Sequence, residues 1–136
     1  MMRRRVAQAR VGRLATVGVH NRPHLVPVCF ATTGDRLVTA VDNKPKTTTL
    51  LKRLHNVQAN PAVSLLVDHF EEDWALLWWV RVDGRARVVE PGAELDTLLE
   101  PLHEKYREHY GLRAPRGPAI VVDLQRWVGW SASAST

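Results

Sequence analysis

Short stretches with an apolar residue at every second position alternate along this chain with two longer stretches whose apolar residues recur at helical spacing. Arg13–Val19 sets Leu14, Thr16 and Gly18 against Ala15, Val17 and Val19, which predicts a strand. His20-Asn21-Arg22-Pro23 has turn chemistry and His24–Thr32 is again strand-like, so the pair predicts an antiparallel hairpin. Pro27 cannot donate to a ladder and assigns that strand to an edge or a bulge. After the turn Thr33-Gly34-Asp35, Arg36–Val41 predicts a third strand. Lys46–Ala59 carries Leu50, Leu51, Leu54 and Val57 on one stripe, and Asn60-Pro61 ends that helix. Ala62–Asp68 is an almost continuously apolar strand. Leu76–Glu90 reads as one long strand, with Val80, Val82, Ala86 and Val88 on one face and Arg81, Arg85 and Arg87 on the other. Asp83-Gly84 within it marks a bulge rather than a hairpin turn. Ala93–Tyr110 predicts a helix buried through Leu95, Leu98, Leu99, Leu102 and Tyr106, kinked or divided by Pro101, with Gly111 just past its end. Ala119–Leu124 and its continuation Arg126–Trp130 give the last strand. Residues 3–11 predict a short basic helix and Ser131–Thr136 a loose tail. Some six strands with two to three helices make an α+β fold centred on a small antiparallel barrel.

Length and composition fit that picture. The 136 residues, 45% apolar and 24% charged, suit one packed domain spanning 1–136. The formal charge of +5 comes from Arg3, Arg4, Arg5, Arg10 and Arg13, since no acid lies among the first thirteen residues and the remainder is balanced. A nucleic-acid surface spread over the fold is therefore not expected; a basic N-terminal arm is what remains of that idea. No apolar run approaches 18 residues, and the segment after the arginines is too polar for a signal peptide, so the expectation is a cytoplasmic protein with no membrane contact. Cys29 is the only cysteine, so no internal disulfide forms, and its apolar surroundings suit a core thiol.

Candidate chemistry concentrates in the turn after the third strand. Asn43 can cap a helix and Pro45 suits its first turn, while Lys44, Lys46 and the hydroxyls of Thr47, Thr48 and Thr49 crowd the helix start. The free N–H groups there attract anions, and lysines in place of acids suggest a bound phosphate; two solvated lysines beside a capping Asn give the same pattern. Five tryptophans are many for this length. Trp78 and Trp79 are adjacent, so a strand sends them to opposite faces and at most one is core-facing; the other calls for a second chain or a flat ligand. His103 and His109 lie on different helix faces, the carboxylates of 69–73 lack ligand spacing, and no metal site is expected. There is no nucleophile elbow, Gly-x-Gly-x-x-Gly or Walker loop. His24, opening the second strand, is the titrating group nearest the candidate site, unless it is an ordinary surface histidine.

Taken in order, Gly12-Arg-Leu-Ala-Thr-Val17, Asn21-Arg-Pro-His-Leu-Val-Pro-Val28, Leu37–Val41 leading to Pro45-Lys-Thr-Thr-Thr-Leu50, Asn60–Val67 and Asp83-Gly-Arg-Ala-Arg-Val88 resemble the split β-barrel flavin and deazaflavin oxidoreductases, the pyridoxamine-phosphate-oxidase-like proteins. The segment Trp78–Gly84 resembles most the branch that uses the deazaflavin coenzyme F420. The resemblance implies a split antiparallel β-barrel, a homodimer with two shared grooves, and hydride transfer from reduced F420 to a small unsaturated organic acceptor. It implies a cofactor phosphate at Lys46, with Lys44 and Thr47 nearby. It also implies a ring lying along Pro27, Val28, Thr39, Ala40 and Val41, closed by the partner subunit through Trp78 or Trp79. Lys44 and Lys52 or Arg53 are candidates for the acidic tail of F420, although Lys52 and Arg53 may equally face water. FMN-using relatives often carry an arginine on the second strand, where this chain has Val26, Val28 and Phe30. That favours the deazaflavin over FMN. The alternatives are an FMN-binding split-barrel enzyme, a flavin or haem module without turnover, and a small nucleic-acid-binding barrel using the arginine arm.

Overall fold

The computed structural model describes residues 1–40, 48–110, 115 and 117–133, with the backbone path alone for 48–51. Seven strands form a single antiparallel sheet: β1 (Gly12–Val17), β2 (Pro23–Val28), β3 (Ala31–Thr33), β4 (Arg36–Ala40), β5 (Ala62–His69), β6 (Trp78–Val89) and β7 (Ala119–Ser131). Their order across the sheet is β2-β1-β5-β6-β7-β4-β3. The sheet curls into a split barrel around a core that includes Leu14, Val28, Phe30, Leu37, Val63, Leu65, Val67, Val80, Val82 and Ile120.

Four helices cover it. α1 (Met2–Gln8) inserts Val6, 1% exposed, into the barrel core. Two of its three arginines are engaged within the fold: Arg3 pairs with Asp35 at 2.7 Å and lies 4.7 Å over Trp127, and Arg5 lies 4.6 Å over Trp78. α2 (Thr48–Ala59) contributes Leu54 and Val57 to the same core, as their spacing requires; the capping residues Asn43 and Pro45 fall outside the described residues. α3 (Ala93–Lys105) buries Leu95, Leu98, Leu99 and Leu102 against Ala31, Val38, Ala119 and Val121 on the other face of the β3–β4–β7 edge. Acids in its first turn and basic residues in its last complement the helix dipole. α4 (Arg107–Tyr110) follows directly. No helix among the described residues is long and apolar enough to cross a membrane.

Four expectations need correction. Cys29, expected as a core thiol, is exposed at the end of β2. The stretch 24–32 is not one strand but two, β2 and β3, lying at opposite edges of the sheet. The long helix runs through Pro101 and divides at Tyr106, whose hydroxyl is pinned by the Arg10 carbonyl and the Phe30 N–H. The bulge lies beside Asp83-Gly84, but the extra residue is on β7: Asp83 faces Arg126 and Gly84 faces Leu124, leaving Gln125 over. Pro27 does lie on an edge strand, paired with Arg13 of β1.

Candidate functional site

The two edges of the sheet meet where Cys29 and Phe30 carry the chain from β2 to β3. Thr39 on β4 is 3% exposed, and its hydroxyl donates to the Cys29 carbonyl at 2.7 Å, tying the far edge to the end of β2. Pro27 is exposed beside this seam and Ala40 is half-buried, so both have surface to offer a ring. Val28 and Thr39 are buried, Val28 within the core and Thr39 in the bond just described. The seam thus brings Pro27, Thr39 and Ala40 together. Val41, Lys44, Lys46 and Thr47 lie outside the described residues.

The described part of α2 adds a cluster of cations. Arg53 does not face water: it is 8% exposed, and its Nε has no hydrogen-bond partner. His24 opposite it on β2 also has a buried ring nitrogen, Nδ1, without a partner. Burial, then the charges of Lys52 and Arg53, hold the His24 pKa below the ordinary value, and burial pushes the Arg53 guanidinium down. A buried donor without a partner is costly, so this arrangement suits an anion that would complete it. Lys52 is exposed and lines a cavity of about 620 Å³ with His20, Arg22, Gly18 and Asn56. Asn56 is fixed by donating to Thr16 at 3.1 Å. Arg53 lies five residues beyond the first residue of α2, roughly 7.5 Å along the axis, on the helix that the lysine-rich turn leads into. Sequence reasoning missed Arg22 and His20, which looked like ordinary turn residues.

The adjacent tryptophans separate as a strand requires. Trp78 packs on the barrel core, between Arg5 and the stacked ring of His69, 6.0 Å away. Trp79 projects from the opposite face, its cross-strand neighbour being Trp130, 48% exposed. The same face of the sheet carries Leu25 (66% exposed) and a network in which Ser64 and Arg81 both donate to Asp83, at 2.7 and 2.9 Å. Trp79, not Trp78, therefore lies on the face turned away from the barrel core.

A further cation lies under the seam. Lys105 Nζ sits 4.1 Å over the Phe30 ring, buried and without a hydrogen-bond partner. Burial and then the nearby Arg10 lower its pKa from 10.5 to about 8. Between those two values the unfolded chain holds a proton that the native protein has released, so native stability rises as pH rises through that window. Below it the native state carries the full penalty of a charged, desolvated amine. Lys105→Met should therefore stabilise the protein at pH 7 by about 1–3 kcal/mol and abolish the alkaline rise, as read by urea unfolding at pH 7 and pH 10. An unaltered pH profile would show that Lys105 is solvated.

The family model for pyridoxamine 5'-phosphate oxidase matches residues 1–131. No curated protein matches the chain. Among solved structures, an FAD-binding protein of Mesorhizobium loti is similar at 21% identity and TM-score 0.73, over 94% of this chain and 90% of that one. An F420 reductase aligns at 21% identity and TM-score 0.64, over 92% and 94% of the two chains. The heme storage protein HutZ of Vibrio cholerae aligns at 18% identity and TM-score 0.66, over 90% and 85%. At these identities the structural likenesses speak for the fold, and the family match extends over nearly the whole sequence: the chain belongs to the pyridoxamine 5'-phosphate oxidase family.

Proposed function

We propose that this protein is an oxidoreductase that uses reduced coenzyme F420 to transfer hydride to a small unsaturated organic acceptor, acting as a homodimer. The observation that carries this reading is the cluster of Arg53 and Lys52 on α2 with His24 on β2, in which two buried nitrogens, Arg53 Nε and His24 Nδ1, have no hydrogen-bond partner. F420 has a phosphate and an acidic tail; Lys46 with Lys44 and Thr47 would hold the first, and Lys52, Arg53 and the neighbouring Arg22 would meet the second. Bound F420 supplies the hydride. Pro27 and Ala40 would give the ring its wall, and Thr39 keeps the backbone at Cys29 in place behind it. On the outer face that Pro27 shares, Trp79 with exposed Leu25 and Trp130 would meet the second subunit, whose arrival excludes water from the groove. Val26 and Val28 occupy the inward positions of β2, which is why FMN is the second choice.

Titration of the purified protein with oxidised F420, reduced F420 and FMN tests the reading directly. F420 should bind in the micromolar range or tighter and FMN more weakly. Lys46→Ala should cost F420 about 1.5–3 kcal/mol, the worth of a hydrogen bond to a charged group. FMN binding without F420 binding would replace the cofactor, and an unchanged affinity in Lys46→Ala would displace the phosphate.

A further inference from the structure

A second cavity, larger than the one beside Lys52, lies elsewhere on the molecule. It lies between α1 and the β1–β5–β6 part of the sheet, has a volume of about 720 Å³, and is lined by Arg4, Arg5, Arg10, Arg13, Asp68 and Trp78 among others. That volume suits a small organic ligand. Its charge is lopsided: four guanidinium groups stand against one aspartate, and Asp68 is already engaged by Arg13 at 3.1 Å. Arg4 makes no hydrogen bond or ion pair with the described residues, and Arg5 has only the face of Trp78. Arg10 donates to the Lys105 carbonyl and lies over Tyr106, which fixes its side chain beside the cavity. Ala9, Val11 and the edge of Trp78 supply apolar wall between these donors.

Position adds to composition. Arg13 is the direct cross-strand neighbour of Pro27, and Gly12 of Val28, so one end of the cavity abuts the strand against which the cofactor ring is proposed to lie. Neighbouring strands are only about 4.8 Å apart. The planar fork of a guanidinium matches a carboxylate with two parallel hydrogen bonds, and here Arg4 is exposed at the rim of a cavity that also carries apolar wall.

We infer that this cavity binds a carboxylate-bearing organic molecule with an apolar body, held at its acid group by Arg4 with Arg5 and Arg13 alongside. Given the proposed hydride transfer, on which this clause alone rests, that organic acid is the acceptor. The anion site itself does not depend on the cofactor.

The test is calorimetric titration of the cofactor-free protein with 2-naphthoate and with its neutral analogue 2-naphthalenemethanol, at fixed ionic strength. Naphthoate should bind with one site per chain and at least roughly tenfold more tightly than the alcohol, and Arg4→Gln should weaken naphthoate roughly tenfold while leaving the alcohol unchanged. Equal affinity for acid and alcohol, no binding of the acid, equal competition by sulfate, or wild-type affinity in Arg4→Gln would each overturn the inference; the wild-type comparison stands even if the variant fails to fold. F420 titration of the same preparation separates the two proposals. F420 binding without naphthoate binding removes the acid site and leaves the cofactor reading, whereas the reverse keeps the acid site and removes its role as acceptor.

Discussion

Replacing Phe30 by alanine is expected to destabilise the protein by about 3–5 kcal/mol, measured as a fall in the urea midpoint at constant slope. Phe30 is fully buried at the point where the two edges of the sheet converge. Its ring lies so close to β1 that a Cβ on Gly12 would come within 3.0 Å of Cε1. The Lys105 ammonium sits on the ring, and the Phe30 N–H donates to the Tyr106 hydroxyl at 3.3 Å. Truncation would leave a cavity at the seam and strip the buried amine of its aromatic face. Set against a total stability of roughly 5–15 kcal/mol, such a loss removes between about a fifth and the whole of the margin. Cofactor affinity should fall with it, because Phe30 adjoins Cys29 and the Thr39 anchor. A loss below about 1 kcal/mol would mean that the seam repacks freely and is not the rigid wall described here.

Gly84→Ala is expected to cost about 3 kcal/mol or more, the upper range for forcing extra volume into a packed site. A Cβ at this position would stand 2.3 Å from the Asp123 carbonyl oxygen and 2.7 Å from Val122 Cγ1. The first is backbone, held in the ladder beside the extra residue Gln125, and has no rotamer by which to yield. Gly18→Ala meets an equally short contact, 2.3 Å, but with the side-chain oxygen of Asn56. That amide can turn aside at the expense of its bond to Thr16, so the Gly18 variant should unfold at a distinctly higher urea concentration than the Gly84 variant. Equal midpoints would show that β7 shifts to absorb the clash.

The elements that were legible are those whose pattern is local. The alternation of Val80, Val82 and Ala86 with the arginines, and the stripe from Leu95 to Leu102, specify their buried faces without help from the rest of the chain. The split at Cys29–Phe30 was not legible, because Val28 to Ala31 is one apolar run with no turn residue, and only closure of the sheet sends its two halves to different edges. Long charged side chains misled for a related reason. Arg3, Arg5 and Arg10 looked like a free basic arm, yet they cover aromatic rings contributed by residues as distant as Trp127. For Arg53 the sequence left open a ligand contact or a solvated side chain, and helix packing turns it inward beside His24. At the candidate site, Pro27, Thr39 and Ala40 were named only through the family pattern, while the cations lining the cavity beside Lys52 had no motif to announce them. Which tryptophan faces the core is decided by register, which adjacency alone does not set.

A sheet that curls without closing leaves two raw margins, and one of them, β2, has prolines at both 23 and 27. Two of its six residues therefore have no amide hydrogen to offer a foreign strand. The prolines that leave this margin open to a ligand also make it a poor seed for fibrils, so the protein can keep an unsealed barrel at high concentration without zipping into its neighbours.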